Sequence, residues 1–207
     1  MSRYLPLMMK WYAALGAVAS AGSLLAQTSS APCSPVASIV YHGSTCALVD
    51  FGTRCAFAAD LATPFYRNGE PIASGADPGG WPAAVQGLYA PALLDEDAQP
   101  PALPAGHLYN AHAVLDGRGL CPAGFHVGTE ADFDAAFQAS HLAGPTGYIS
   151  STDGRHYDIA SFTGWWTSTA AGSGLMHLYI EESAELQLGR YALDDLRAGF
   201  AVRCFRD

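Results

Sequence analysis

Five cysteines, at positions 33, 46, 55, 121 and 204, constrain this chain most, because all of them follow an opening stretch built for export. Residues 1–10, MSRYLPLMMK, carry Arg3 and Lys10 and no acid, and the next sixteen, WYAALGAVASAGSLLA, carry no charge. A basic head, a short apolar body and small residues before a polar stretch describe a secretory signal peptide over 1–26. Cleavage is expected after Ala26, with Ser23 as the alternative. Sixteen residues rich in Ala, Gly and Ser are short for a bilayer span, which needs about 20. The exported chain is therefore expected to be secreted, periplasmic or at the cell surface, with no membrane insertion once the signal is removed. In those compartments disulfides are the default state of cysteine. Five is an odd number, so at most two intrachain bridges form and one thiol is left over. No Cys-x-x-Cys spacing occurs, and no histidine pair flanks a cysteine, so the sequence implies neither a metal site nor another cofactor.

What remains after the signal, roughly 180 residues, fits one domain with a real core. The whole chain has ten basic and nineteen acidic residues and a net charge of −9. Loss of Arg3 and Lys10 makes the mature surface still more acidic, and Lys10 is the sole lysine. Such a surface repels phosphate backbones, so nucleic acid is not an expected partner.

Along the chain, residues 27–37 are rich in Ser, Ala and Pro and read as a flexible tether, which leaves 38–207 as the domain. IVYHGSTCALVDFG (39–52) breaks an apolar run with a His-Gly pair, the signature of a hairpin. From Ala73 to Gly106 the sequence is rich in Pro, Gly and Ala, with acids at Asp95, Glu96 and Asp97. It reads as a long loop, in which only WPAAVQGLY is expected to make a helical turn. Thr129 precedes Asp132 by three residues at the head of an apolar run, a capping-box variant that opens an amphipathic helix ending near Gly144-Pro145. Phe133 and Phe137 share the inward face of that helix. FHV before it reads as a short strand, and GLMHLYIEE, AELQLGRYAL and FAVRCF read as alternating strands. The last of these places Phe200, Val202 and Cys204 on one apolar face.

Several blocks then resemble the Fibrobacter succinogenes major paralogous domain family. FGTRCAFAADLATPFYRNGEPI is similar to the family's Ile-Gly-x-Gln-x-Trp-x-x-x-Asn-Leu block with its basic-Asn-Gly turn. LYNAHAV and GLCPAGFHVGTEADF resemble its Leu-Tyr-Asn-Trp-x-Ala-Val and Cys-Pro-x-Gly-Trp-His-Val-Pro-Thr blocks. GYISSTDGRHYDIASFTGWWTST and GFAVRCFRD resemble its last two. The chain departs from the pattern at Ala56 and Phe125, where the family has Trp, at Asp60, where it has Asn, and at Gly128, where it has Pro. The resemblance implies an α+β, C-type lectin-like fold: a twisted antiparallel sheet, one main amphipathic helix and long loops. It brings no general activity with it. Cys121 and Cys204 both lie in family blocks and beside strands facing one core, so they are expected to pair. That bridge would contribute roughly 4–5 kcal/mol on chain-entropy grounds. Cys33 is expected to pair with Cys55, leaving Cys46 as the free thiol on a strand face shared with Leu48; the rival arrangement pairs Cys46 with Cys55 and frees Cys33.

The chemistry of the residues favours binding over catalysis. Calcium-dependent sugar sites of lectin-like domains use Glu-Pro-Asn or Gln-Pro-Asp together with Trp-Asn-Asp; here Glu70-Pro71-Ile72 lacks the third oxygen. An oxidase of the formylglycine-generating type shares the broader fold but needs a reactive cysteine pair, which the bridge assignment does not leave. Ser150, Ser151, Asp153 and His156 are too close in sequence to present triad geometry, and His126 reads as a hydrogen-bonded core histidine. Trp165, Trp166, Asp153 and Tyr157 are the candidate ligand-binding residues, the tryptophans because exposed rings stack on sugars and more simply as core. The sequence is thus expected to encode an exported, non-catalytic recognition module. It would bind a surface glycan or protein through loops 73–106 and 144–175, with an envelope-assembly component as the alternative.

Overall fold

In the computed structural model, the described residues are 32–93, 106–138, 144–159, 161–181 and 187–207. The expected signal peptide, most of the tether, the acids at 95–97 and residues 139–143 of the expected helix lie outside them. His42 and Gly43, with φ of 47° and 81°, turn the chain between β1 (Ser38–Tyr41) and β2 (Ser44–Phe51). That left-handed pair matches the natural twist of a two-residue hairpin. β3 (Arg54–Phe57) returns along β2, and β14 (Cys204–Arg206) and β7 (Phe125–Val127) complete an antiparallel sheet in the order β1-β2-β3-β14-β7.

The larger sheet has nine strands. β4 (Ala73–Ser74), β5 (Leu88–Pro91), β6 (His107–Asn110), β10 (Phe162–Ala171), β11 (Gly174–Glu181), β12 (Gly189–Leu193) and β13 (Gly199–Ala201) lie in the order β12-β11-β10-β13-β6-β5-β4. β8 (Tyr148–Ile149) pairs with β13, and β9 (His156–Tyr157) pairs with β8. Most pairings are antiparallel; β10 meets β13 in parallel at Trp165 and Ala201. The region 73–106 is not one long loop: it contributes β4, β5 and a 3-10 turn at Pro78–Gly80. Leu88 and Tyr89 sit in a strand rather than a helical turn, because Leu88 pairs with Ala73 of β4 and Tyr89 with Ser74 of β4 and Tyr109 of β6.

Two short helices cover opposite faces of β10. The Asn110 side chain accepts from the Ala113 N–H at 3.1 Å to cap α1 (Ala111–Leu115), accepts from Leu88 N–H at 2.9 Å and donates to the Gln86 carbonyl. α2 (Glu130–Gln138) opens with the reciprocal capping box: the Asp132 carboxylate accepts from Thr129 N–H at 2.9 Å and Asp132 N–H donates to Thr129 Oγ1 at 3.2 Å. Phe133 is fully buried and Phe137 half-buried. The described chain is thus a mixed α and β structure, mostly strand, with curled antiparallel sheets and few helices. None of its helices is long and apolar enough to cross a membrane.

Disulfides join Cys33 to Cys55, with Cα atoms 4.9 Å apart, and Cys121 to Cys204, with Cα atoms 5.7 Å apart. Cys46 is half-buried and unbridged. The closing segment is not one alternating strand. It breaks after Ala201, so that β13 serves the large sheet and β14 the small one. All six residues Phe200–Phe205 are buried, including Arg203 on the side that alternation predicted to be polar. Arg203 is neutralised in place. Its Nε and Nη2 donate to Asp60 Oδ1 at 2.9 and 2.7 Å, and the Trp165 indole N–H donates to the same oxygen at 2.9 Å.

Candidate functional site

The sequence offered four ligand-binding candidates, and the structure separates them. Trp165 and Trp166 have no exposed face, each with 0% accessible surface, so neither stacks on a ligand. Adjacent residues of β10 point to opposite sides, and both sides are covered. Trp165 packs on Phe133 of α2, with ring centroids 5.5 Å apart, and Trp166 packs edge-on to Phe200 at 5.0 Å and donates its N–H to the Tyr109 carbonyl. Asp153 and Tyr157 meet at the surface, where the Tyr157 hydroxyl donates to Asp153 Oδ2 at 2.6 Å.

Tyr157 begins a row of rings that the sequence did not disclose. It lies opposite Tyr148 across the β8–β9 pair, the two rings stacked at 5.8 Å. Tyr148 meets Phe162 of β10 edge-to-face at 5.5 Å, and Phe162 stacks on Tyr179 of β11 at 5.7 Å. Tyr179 stacks on His177 at 5.5 Å, and His177 meets Tyr191, its register partner on β12, at 6.1 Å. Phe200 lies beneath, stacked on His177 at 4.6 Å. The row therefore crosses β9, β8, β10, β11 and β12 on one face. Tyr148, Phe162 and Tyr179 are half-buried, while Tyr157 is 40% and Tyr191 61% exposed.

Glycines let two of these rings, Phe162 and Tyr179, lie close to the sheet. A Cβ on Gly164 would fall 2.6 Å from the Phe200 ring and 2.7 Å from that of Phe162, and one on Gly189 would overlap the Tyr179 ring. A side chain at either position would lift an aromatic off the sheet, so the two positions are the local signal that marks the face.

The electrostatics of the face are simple. Burial lowers the His177 pKa, so the ring is neutral near pH 7, with Nδ1 3.2 Å from the Tyr191 carbonyl. Burial, then Asp158 and Asp153, push the Tyr148 hydroxyl up, and the bond to Asp153 does the same for Tyr157, so both stay protonated donors. The Tyr157 hydroxyl and the Arg155 amide hold Asp153 below the usual carboxylate range. Asp158 sits exposed at φ 51° where the chain leaves β9. Arg190 of β12 is turned away, paired with Glu130 and Asp134 of α2 on the opposite face.

The remaining chemistry-bearing residues do not converge. Ser150 is hydrogen-bonded to Thr152 at 2.7 Å and also meets Asp153, but His156 Nε2 lies 3.3 Å from the Pro91 carbonyl, so no relay joins His156 to them. His126 is one-third exposed rather than enclosed in the core, with its ring nitrogens 2.9 Å from Asp132 and 2.8 Å from Asp207. A cleft of about 280 Å³ lies beside Tyr66, Gly87 and Arg118. The guanidinium there lies 3.8 Å over the Tyr66 ring with every nitrogen bonded to Asp116 or Glu70, so it offers no free charge. Burial raises the Cys46 pKa, the reverse of what a nucleophilic thiol needs. Among the described residues, no group of three or more His, Cys, Asp or Glu side chains gathers to hold a metal ion. No family model, no curated protein and no solved structure matches the chain.

Proposed function

We propose that this chain is a diverged Fibrobacter succinogenes major paralogous domain protein of C-type lectin-like fold, exported and non-catalytic, whose ligand surface is the aromatic row from Tyr157 to Tyr191. The observation that carries the reading is the row itself: mostly part-exposed rings, two of them lying close over glycines, edged by hydroxyls and a carboxylate. Rings of this kind offer an apolar face and a polar tip, which suits sugars and protein surfaces alike. The motif order quoted above supports the family assignment, and the two disulfides accord with an oxidising compartment.

A glycan array and a pull-down with the oxidised chain test the reading, paired with Tyr157→Ala. Binding that Tyr157→Ala weakens supports it; silence in both screens, or binding indifferent to the substitution, refutes it. The second reading, an envelope-assembly component, rests on the same rings, because tyrosine is enriched where proteins meet. Fractionation of producing cells separates the two, since an assembly component stays with an envelope complex.

A further inference from the structure

We infer that the aromatic row takes a linear, uncharged oligosaccharide laid across the strands, rather than a single sugar or an acidic polysaccharide; the inference rests on the recognition reading above. Length comes first. Five successive contacts, from 5.5 to 6.1 Å, carry the row over five strands, far more aromatic surface than one sugar ring covers. The two ends are the most exposed members, Tyr157 at 40% and Tyr191 at 61%, while Tyr148, Phe162 and Tyr179 between them are half-buried and His177 is buried. An open-ended row with a lower, half-buried centre suits a chain that enters and leaves. A monosaccharide site is instead concave and closed around its ligand.

Charge decides the class of chain. Asp153 and Asp158 stand at the Tyr157 end. Arg155 is the basic residue of the β8–β9 turn, Arg190 is committed to α2, and His177 is kept neutral by burial. The whole chain carries −9. A uronic-acid chain would bring a carboxylate per sugar against these acids with one guanidinium to meet them. A neutral chain meets no such opposition, and its hydroxyls find acceptors in Asp153 and donors in the tyrosines.

The test is calorimetric titration of the oxidised full chain with neutral gluco-, manno- and chito-oligosaccharides of two to six units, and with oligogalacturonates of matched length. At least one neutral series should tighten with each added sugar, by about two- to tenfold per ring engaged, and the matched oligogalacturonate should bind at least about fivefold more weakly. Tyr191→Ala, at an exposed position where folding is not at stake, should weaken the hexasaccharide by a larger factor than the disaccharide. Binding that Tyr157→Ala weakens but that does not grow with length overturns the inference and leaves the recognition reading standing. Equal or tighter binding of the acidic series does the same. If no carbohydrate binds while a protein partner is captured through Tyr157, the occupant is a protein and the inference falls. If nothing binds, both fall.

Discussion

Asp60→Asn probes the most consequential polar contact in the core. One oxygen, Asp60 Oδ1, accepts from Trp165 Nε1 at 2.9 Å and from Arg203 Nε and Nη2 at 2.9 and 2.7 Å. The Asp60 and Arg203 side chains are 1% and 0% exposed, and Asp60 Oδ2 and Arg203 Nη1 have no protein partner among the described residues. Asn keeps the shape and one accepting oxygen but removes the charge, which leaves a buried guanidinium uncompensated. That situation costs about 3–5 kcal/mol, a large part of the roughly 5–15 kcal/mol by which a domain is stable. With a urea m-value of about 2 kcal/mol/M, the midpoint should fall by about 2 M. Asp60→Leu combined with Arg203→Met should recover part of the loss, because removing both charges removes their desolvation cost, while the Trp165 indole N–H still loses its acceptor at about 1–3 kcal/mol. Urea unfolding of the oxidised proteins at pH 7, followed by far-UV circular dichroism, measures both. A midpoint shift below about 0.5 M for Asp60→Asn, at unchanged m, would refute the reasoning. Asn is the residue of the family block that this segment resembles, so tolerance would mean that hydrogen-bond geometry alone holds Arg203.

Three further outcomes are expected. Gly189→Ala should cost about 1–3 kcal/mol through overpacking against Tyr179 and weaken ligand binding together with it, as read by thermal unfolding and by titration. Burial lowers the His126 pKa, but Asp132 and Asp207 outweigh it and leave the value raised, so its contribution to stability is complete below the unfolded value of about 6.5 and is lost as pH rises through the folded value. Urea midpoints from pH 5.5 upward should show that fall, and His126→Gln should flatten it; an unchanged slope would refute the clamp. Removing the Cys121–Cys204 bridge, which closes a separation of 83 residues, should cost about 4–5 kcal/mol, against about 3 for Cys33–Cys55 and under 1 for Cys46→Ser. Unfolding of the three variants ranks them.

Local signals in the sequence translated well into local structure. The His42-Gly43 hairpin and the Thr129–Asp132 capping box each depend on residues within a few positions of one another, and both are present as the spacing predicts. Strand alternation translated poorly, for a physical reason. Alternation reads which face is wet, and β10 and the closing segment have no wet face over much of their length. Trp165 and Trp166 are neighbours in sequence and both buried, because α2 lies on one side of β10 and α1 on the other. Arg203 looked like a solvent-side residue because its counter-charge stands 143 positions earlier. The stretch 73–106 looked like loop because its strands are two and four residues long, too short for any period to register.

The proposed ligand face shows the same limit from the opposite direction. α1 has five residues, and it packs on β5, β6 and β10. A helix of that length covers about 7.5 Å of sheet, enough for Trp166 and Phe200 but not for β11 and β12 beyond them. The rings further along that face, from Tyr148 to Tyr191, are therefore drawn into the core on one side and left open on the other. They are scattered over five strands, and none stands out in its own segment. What singles them out is the pairing of Tyr179 with Gly164 across one strand boundary and with Gly189 across the next. Glycine opposite an aromatic weakens a sheet that has nothing to gain from a flat surface. Two such pairs on the part of that face beyond α1 are what support the proposed ligand surface.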